Sequence, residues 1–189
     1  MNHMPVCTIK KGSAITCAFA LLVAGLVLST TPTSAQTNTV KQHPGKRMTD
    51  PAKVHSEAIV IDTHADTPQR FVDENWDFTD PLNGGMLNYD SAKKGNLDAQ
   101  FFSIWVDPGQ YPAKESAHRT LALIDGTLEQ VRKAPDKLQL CLSSGDIIAA
   151  HKNGKFAVLM GIEGGHSIEN SLGLLRDYYR LGVRYMTLT

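Results

Sequence analysis

The sequence predicts an α/β fold that forms the N-terminal portion, about half, of a (β/α)8 TIM-type barrel. Strand and helix patterns alternate along residues 51–189, which indicates a parallel sheet with helical crossovers. The run at 156–162 is apolar on both faces, as is typical of a strand covered by helices on both sides. Residues 183–189 have the pattern of a strand with no helix after it, so we expect a chain truncated mid-barrel, with about four of eight units. The other architecture that repeated βα units allow is an open doubly wound sheet.

The first 35 residues have the pattern of a secretory signal peptide. Lys10 and Lys11 precede an uncharged apolar run at 14–28, and small residues follow up to Ala35. The run is shorter than the ~20 residues of a membrane span. We therefore expect cleavage near Ala35 and an exported product, either periplasmic or extracellular. An uncleaved anchor is the alternative, and only then would this segment hold the protein at a membrane.

Composition and charge exclude several classes of protein. With 42% hydrophobic and 20% charged residues, the chain is typical of a globular protein rather than a disordered one. Its 19 basic and 19 acidic residues balance, so the chain has no electrostatic attraction for a polyanion and no nucleic-acid partner is expected. Of three cysteines, only Cys141 follows the signal segment. We expect no disulfide in the mature chain, and the apolar neighbours of Cys141 predict a packing role.

The first half of the chain after the signal predicts a linker and four structural segments. Residues 36–50 are polar and lack an apolar period, which predicts a linker before a barrel domain at 51–189. The segments are, in order, a buried strand at 58–62, a long loop with short helical pieces at 75–94, a strand at 98–106 and an amphipathic helix at 114–133. The buried stripe of that helix is expected to consist of Leu121, Ile124, Leu128 and Val131.

The second half predicts a short strand at 138–142, a helix that begins at Ser143 or Ser144, and the apolar strand at 156–162. We expect Ser167 to cap the next helix and Gly182 to end it. The apolar stripe of this last helix is expected to consist of Leu172, Leu175 and Tyr179.

Polar residues with metal-binding chemistry follow two of these strands. His64 and Asp66 come directly after the first strand, and side chains two positions apart in extended backbone project to the same face. Glu163 ends the apolar strand, where an ionised carboxylate is costly unless a cation or donor meets it. Barrel active sites lie at the carboxyl ends of strands, and a carboxylate can bridge two metal ions. The sequence therefore predicts a metal site formed by His64, Asp66 and Glu163.

Two neighbouring residues are candidates for support of that site. Asp62 could hold a ligand histidine through its distal nitrogen, or could be a turn acid at the strand end. His166 could lie beside the site, act as a further ligand, or be an ordinary loop histidine. If no metal binds, His64 is expected to form a hydrogen bond with Asp66 at the strand end. Glu163 is then expected to form a salt bridge at a helix N-terminus or to be a solvated loop acid. No P-loop or Gly-x-Ser-x-Gly pattern occurs, so no catalytic residue is expected apart from the metal ligands.

Four segments across nearly all of residues 56–189 resemble the membrane (renal-type) dipeptidase family of zinc peptidases. They are Ile61-Asp62-Thr63-His64-Ala65-Asp66-Thr67-Pro68, Gln100-Phe101-Phe102-Ser103, Gly161-Ile162-Glu163-Gly164-Gly165-His166-Ser167 and Leu181-Gly182-Val183-Arg184-Tyr185-Met186-Thr187-Leu188-Thr189.

The resemblance implies a (β/α)8 barrel with two zinc ions. His64 and Asp66 would bind one Zn2+, Glu163 would bridge both, and a metal-bound hydroxide would attack the peptide bond of a dipeptide substrate. The family places two further histidine ligands and its substrate-contacting residues in the second half of the barrel. We therefore expect the present chain to be an incomplete fragment that is inactive alone.

Two other functions remain open at this stage. A different amidohydrolase-like metal hydrolase would usually carry a two-histidine motif after its first strand, where this chain has His64-x-Asp66. A non-catalytic periplasmic barrel remnant would need no metal, and substitution of His64 or Glu163 would leave its ligand binding intact.

Overall fold

The structure, a computed structural model, describes residues 50–112 and 114–188. The predicted signal peptide and the predicted linker up to residue 49 lie outside the described residues. The helices of the described part are α1 (Pro51–Glu57), α2 (Pro68–Asp73), α3 (Tyr89–Lys94), α4 (Ser116–Lys133), α5 (Ser144–Lys152) and α6 (Leu172–Arg180). The strands are β1 (Ile61–Ala65), β2 (Ala99–Trp105), β3 (Leu138–Leu140), β4 (Phe156–Glu163) and β5 (Val183–Thr187), and a 3-10 turn spans Gly165–Ile168.

The strands form one parallel sheet with β4 at its centre. β1 pairs with β2, and β2 pairs with all of β4 except its first residue, from Ala157 to Glu163. β3 pairs with the first residues of β4, and β5 pairs with its last residues. Because β2 occupies one edge of β4, β3 and β5 share the other edge. Each connection between parallel partners must cross the sheet, and helices make these crossovers as the sequence predicts.

Aromatic side chains form the core on one side of the sheet. Phe102 of β2 and Phe156 of β4 contact Phe78, whose ring lies 5.3 Å from each of theirs. Phe78 is fully buried although it lies in the long loop between α2 and α3. Phe71 of α2 and Trp76 complete the cluster. Aromatic pairs add about 0.5 to 1.5 kcal/mol each beyond their buried area, so the loop is held to the sheet by its own aromatic residues.

The first strand differs from its prediction in position and burial. It was expected at 58–62 as a buried strand, but it begins at Ile61 and its side chains are exposed up to His64. The start is set by Asp98, whose Oδ2 accepts a hydrogen bond from the Val60 N–H at 2.8 Å. Within the described residues β1 pairs only with β2, so it is an edge strand with less cover than a central one.

Helix α4 is confirmed, but its predicted stripe is partly wrong. Leu121 is 41% exposed, whereas Leu123 is fully buried and Ile124 is 1% exposed. The buried face also includes Thr127, whose hydroxyl donates to the Leu123 carbonyl and so needs no water. The face against the sheet is thus rotated from the one that apolar residues alone indicate.

Among the described residues, no helix combines the length and apolar character that crossing a membrane requires.

The segment after β4 corrects the predicted cap. Ser171, not Ser167, caps α6 by accepting a hydrogen bond from the Leu174 N–H. Glu169 and Asn170 adopt left-handed conformations, with φ of 48° and 60°, and these interrupt the chain between the 3-10 turn and the helix. The predicted stripe is exposed at Leu172 and Tyr179, while the buried residue of α6 is Tyr178.

Candidate metal centre

His64 and Asp66 lie at the carboxyl end of β1, where the strand leads into α2. The His64 Nε2 and Asp66 Oδ1 atoms are 3.5 Å apart, as expected for side chains two positions apart on one face. Asp62 stabilises this end of the strand, because its Oδ1 accepts a hydrogen bond from the His64 backbone N–H at 3.2 Å.

Glu163 reaches these residues from a strand that is not adjacent to β1. It is the last residue of β4, and β2 lies between β1 and β4. Two strand spacings separate the strand ends by about 10 Å, so the side chains must meet across β2. Ser103 of β2 is small, and its hydroxyl donates to Glu163 Oε2 at 3.2 Å. His64 Nε2 lies 3.0 Å from that same oxygen.

The chemistry and spacing of these donors fit a metal ion. One nitrogen of His64 and one carboxylate oxygen each of Asp66 and Glu163 lie within 4.8 Å of one another. A tetrahedral ion with ligand distances of about 2.0 to 2.2 Å holds its donors roughly 3.3 to 3.6 Å apart. The separation of 3.5 Å lies within that range and the separation of 3.0 Å lies slightly below it. Imidazole with carboxylates is a donor set that zinc accepts.

The donors are open to solvent, and two of them, His64 and Asp66, line a cavity. The side chains of His64, Asp66 and Glu163 are 42%, 59% and 36% exposed. The cavity has a volume of about 560 Å³ and lies between the end of β1 and residues 85–87 of the long loop. That volume is in the range of pockets that hold small ligands. Water and a small substrate can therefore reach the donors.

The distal nitrogen of His64 faces Tyr185 rather than Asp62. The Tyr185 hydroxyl oxygen is 3.4 Å from His64 Nδ1, and the hydroxyl is 2.9 Å from the Thr63 carbonyl oxygen. Of the two roles that the sequence leaves open for Asp62, the structure shows the contact of a strand-end acid, because its short side chain accepts a hydrogen bond from the backbone N–H two residues on.

Sequence reasoning assigned no role to Tyr185 or Ser103. Ser103 contacts Glu163, and Tyr185 contacts His64, because strands that are distant in the sequence pair in the sheet. The spacing of residues along the chain does not reveal this pairing. Burial raises the pKa of Tyr185, and the negative charges of Glu163, Asp62 and Asp66 raise it further. The phenol therefore stays protonated at neutral pH and can donate a hydrogen bond.

His166 lies apart from the three donors. Its Nε2 is 2.8 Å from the Val106 carbonyl oxygen, which can only accept, so Nε2 carries a proton and donates. Gly164, with φ of 97°, provides the turn that directs the His166 ring to this carbonyl. His166 lines a separate cavity of about 410 Å³ with Tyr111 and Glu169. The contact holds the loop after β4 against the end of β2.

Comparison with known proteins places the sequence near the dipeptidases. The family described as membrane dipeptidase (peptidase family M19) matches residues 48–189. Dipeptidase 3 of Mus musculus is 37% identical over 105 residues, which cover 56% of this chain and 20% of that protein. Dipeptidase verJ of Clonostachys rogersoniana is 32% identical over 151 residues, which cover 72% of this chain and 39% of that protein. The chain thus spans well under half the length of these curated relatives.

Solved structures confirm the predicted α/β barrel fold. The probable dipeptidase PvdM from Pseudomonas aeruginosa superposes with a TM-score of 0.66 at 21% identity, covering 73% of this chain and 36% of that one. A metallo peptidase from Rhodobacter sphaeroides, liganded with a phosphinate mimic of the dipeptide L-Ala-D-Ala, superposes with a TM-score of 0.60 at 22% identity. It covers 68% of this chain and 44% of that one. At these identities the likeness concerns the fold alone.

Proposed function

The chain belongs to the membrane dipeptidase family, peptidase family M19, and from this premise we propose that it forms one side of the active site of a zinc-dependent dipeptidase. The observation that supports the proposal most strongly is the convergence of His64, Asp66 and Glu163 within 4.8 Å. Their donor atoms come from two strands that are separated by a third. Nearness in the sequence therefore does not explain why the three residues converge.

In the proposed site, His64 and Asp66 would hold one zinc ion, and Glu163 would be shared between this ion and a second. Zinc, when bound, would supply an activated water and polarise the peptide carbonyl. Ser103 orients Glu163 through its hydrogen bond to Oε2. Asp62 fixes the backbone at His64, so the imidazole projects from a defined strand end.

The proposed substrate is a dipeptide. The cavity of about 560 Å³ beside the donors is large enough for two residues. The phosphinate mimic of L-Ala-D-Ala bound to the Rhodobacter sphaeroides enzyme makes L,D dipeptides reasonable first substrates to test. Within this cavity, the loop residues 85–87 would exclude bulk water from one side of the substrate.

Zinc binding by the 189-residue chain tests the proposed ligands. Isothermal titration with Zn2+ should show binding that His64→Ala, Asp66→Asn and Glu163→Gln each weaken. His118→Ala is the matched control, because this histidine is exposed on α4 away from the site. Binding that is absent in the wild-type chain would contradict the proposal and favour a non-catalytic barrel remnant.

We also propose that the chain needs further ligands for turnover. A site with two ions requires more donors than the three that converge among the described residues. The expected result is no hydrolysis of Gly-D-Ala by the purified chain in the presence of Zn2+. Turnover that Glu163→Gln abolishes would show instead that this chain is sufficient.

Export is the last part of the proposal. The signal pattern at 1–35 predicts a mature chain that begins at Gln36 outside the cytoplasm. N-terminal mass spectrometry of the secreted or periplasmic fraction tests this. A product that retains residues 14–28 in the membrane fraction would indicate an uncleaved anchor.

A further inference from the structure

Tyr185 of β5 reaches across the sheet to the end of β1. Its hydroxyl lies 2.9 Å from the carbonyl oxygen of Thr63 and 3.4 Å from Nδ1 of His64. These contacts join residues that are 122 and 121 positions apart in the chain. They connect β5 to the strand that carries two of the proposed ligands.

The direction of these hydrogen bonds follows from the chemistry of the three groups. A carbonyl oxygen only accepts, so the single hydroxyl hydrogen of Tyr185 is donated to Thr63. The Tyr185 oxygen can then only accept from His64. Nδ1 of His64 must therefore carry a hydrogen, and the long 3.4 Å contact is an Nδ1–H donor facing the phenol oxygen.

A neutral imidazole with its hydrogen on Nδ1 has its lone pair on Nε2. Nε2 is the atom that faces the carboxylates, at 3.0 Å from Glu163 Oε2 and 3.5 Å from Asp66 Oδ1. When a cation takes the place of the hydrogen that Nε2 would otherwise donate to Glu163, the ring keeps its hydrogen on Nδ1, and the Tyr185 oxygen is placed to accept it.

The ring of Tyr185 is held in place by its neighbours. Gly161 pairs with Tyr185 across β4 and β5, and the ring lies directly over this glycine. A Cβ atom at Gly161 would overlap the ring at Cζ and both Cε atoms. Phe101 of β2 packs against the ring with centroids 5.2 Å apart. The glycine therefore provides the space that lets the hydroxyl reach His64.

We propose that Tyr185 is a positioning residue that fixes the orientation of His64 for metal binding by accepting a hydrogen bond from Nδ1. The inference rests on the proposed function in that His64 must be a ligand. Removal of partners that orient a metal-binding histidine typically weakens metal affinity by roughly 10- to 100-fold.

The test compares zinc affinity in the 189-residue chain and its variants. Tyr185→Phe keeps the ring over Gly161 and removes only the hydroxyl, so we expect zinc binding roughly 10- to 100-fold weaker than wild type. Tyr179→Phe is the matched control, since Tyr179 is 62% exposed on α6, and it should leave the affinity unchanged. Circular dichroism of the metal-free variants selects a temperature at which all are folded.

Nitrogen-15 NMR of the zinc-loaded chain measures a property of His64 that would not change if Tyr185 had only a structural role. In the wild type, His64 should show a proton on Nδ1 and zinc on Nε2. In Tyr185→Phe, the Nδ1 proton should exchange faster with water, because its acceptor is gone. Gly161→Ala keeps the hydroxyl but displaces the ring, so it should reproduce both effects if Tyr185→Phe does not fold.

The outcomes separate this inference from the proposed function. If His64→Ala loses zinc while Tyr185→Phe and Gly161→Ala bind it as wild type does, the positioning role is wrong and the ligand role stands. If wild type and His64→Ala show the same zinc affinity, both proposals are wrong. A zinc-loaded His64 with its proton on Nε2 would also overturn the inference.

Discussion

Ser103 is the residue that lets two non-adjacent strands share a site. It lies on β2 between the ends of β1 and β4, and its hydroxyl donates to Glu163. The hydroxyl holds the carboxylate in the direction of His64, so a metal ion would meet a ligand that is already oriented.

Loss of the Ser103 hydroxyl should weaken zinc binding modestly. A hydrogen bond of this kind contributes about 1 kcal/mol, so Ser103→Ala is expected to reduce zinc affinity about fivefold in isothermal titration. Ser56→Ala, at an exposed position of α1, is the control. Unchanged affinity in Ser103→Ala would mean that Glu163 is oriented without this contact.

The surroundings of Cys141 suppress the reactivity of its thiol. Cys141 is fully buried, and this burial together with the nearby Asp146 charge raises the pKa of its thiol to about 11. At pH 8 only about one thiol in a thousand is then ionised, and the thiolate is the reactive form. Its packing role agrees with the prediction from its apolar neighbours.

We expect iodoacetamide at pH 8 to modify folded Cys141 roughly 100-fold more slowly than the same residue in urea. Mass spectrometry of the peptide that contains Cys141 measures the rate without interference from Cys7 and Cys17. Equal rates in the folded and unfolded chain would show that the thiol is accessible.

The sequence alone predicted the three converging donors but not the groups that orient them. Alternation along a strand places His64 and Asp66 on one face, and the end of an apolar strand places Glu163 at the same edge of a parallel sheet. The contacts of Tyr185 depend on the register between β4 and β5, which includes an irregularity after Met160. Residue spacing carries no information on such a register.

At the scale of elements, the long loop between α2 and α3 is anchored rather than loose. Phe78 packs among four aromatic rings, and its backbone N–H donates to Gln130 Oε1 of α4 at 2.8 Å. Trp76 Nε1 donates to the Pro81 carbonyl oxygen at 2.9 Å. These contacts position residues 85–87, which form one wall of the cavity beside the donors.

Phe78→Ala should lower the free energy of unfolding by about 3 to 5 kcal/mol, because it removes a fully buried ring and leaves a cavity. Urea denaturation followed by circular dichroism measures the change. Met86→Ala, in the same loop but 95% exposed, should change stability by less than about 0.5 kcal/mol. Similar effects for the two variants would mean that the loop is not anchored by Phe78.

The order of strands and helices was predictable, whereas the buried faces of the helices were less so. β2, β4 and α4 lie close to their predicted positions because their apolar patterns are long. Leu121 is exposed because threonines with internally bonded hydroxyls replace apolar residues on the buried face of α4. The interruption at Glu169 and Asn170 was missed because neither residue requires a left-handed conformation.

At the scale of the molecule, apolar side chains are exposed near one edge of the sheet. Leu172 and Tyr179 of α6 are 64% and 62% exposed, and Leu188 after β5 is 80% exposed. Parallel sheets are normally covered on both faces. The chain spans 36% and 44% of two solved structures that it resembles, so other parts of those larger proteins have no counterpart among the described residues.

The exposed apolar edge should make the isolated chain self-associate. Sedimentation velocity is expected to show association that increases with concentration, and Leu172→Lys combined with Tyr179→Lys should reduce it. Leu121→Lys changes an exposed leucine on a different helix and is the control. A chain that remains monomeric at all concentrations would contradict the expectation that the exposed apolar residues of α6 mediate self-association.

The most direct test of the central claim is anomalous diffraction at the zinc edge from crystals of the chain soaked in Zn2+. The proposal predicts a zinc peak about 2.0 to 2.2 Å from His64 Nε2 and from carboxylate oxygens of Asp66 and Glu163. A peak held by other residues, or a Glu163 carboxylate directed away from His64, would contradict it.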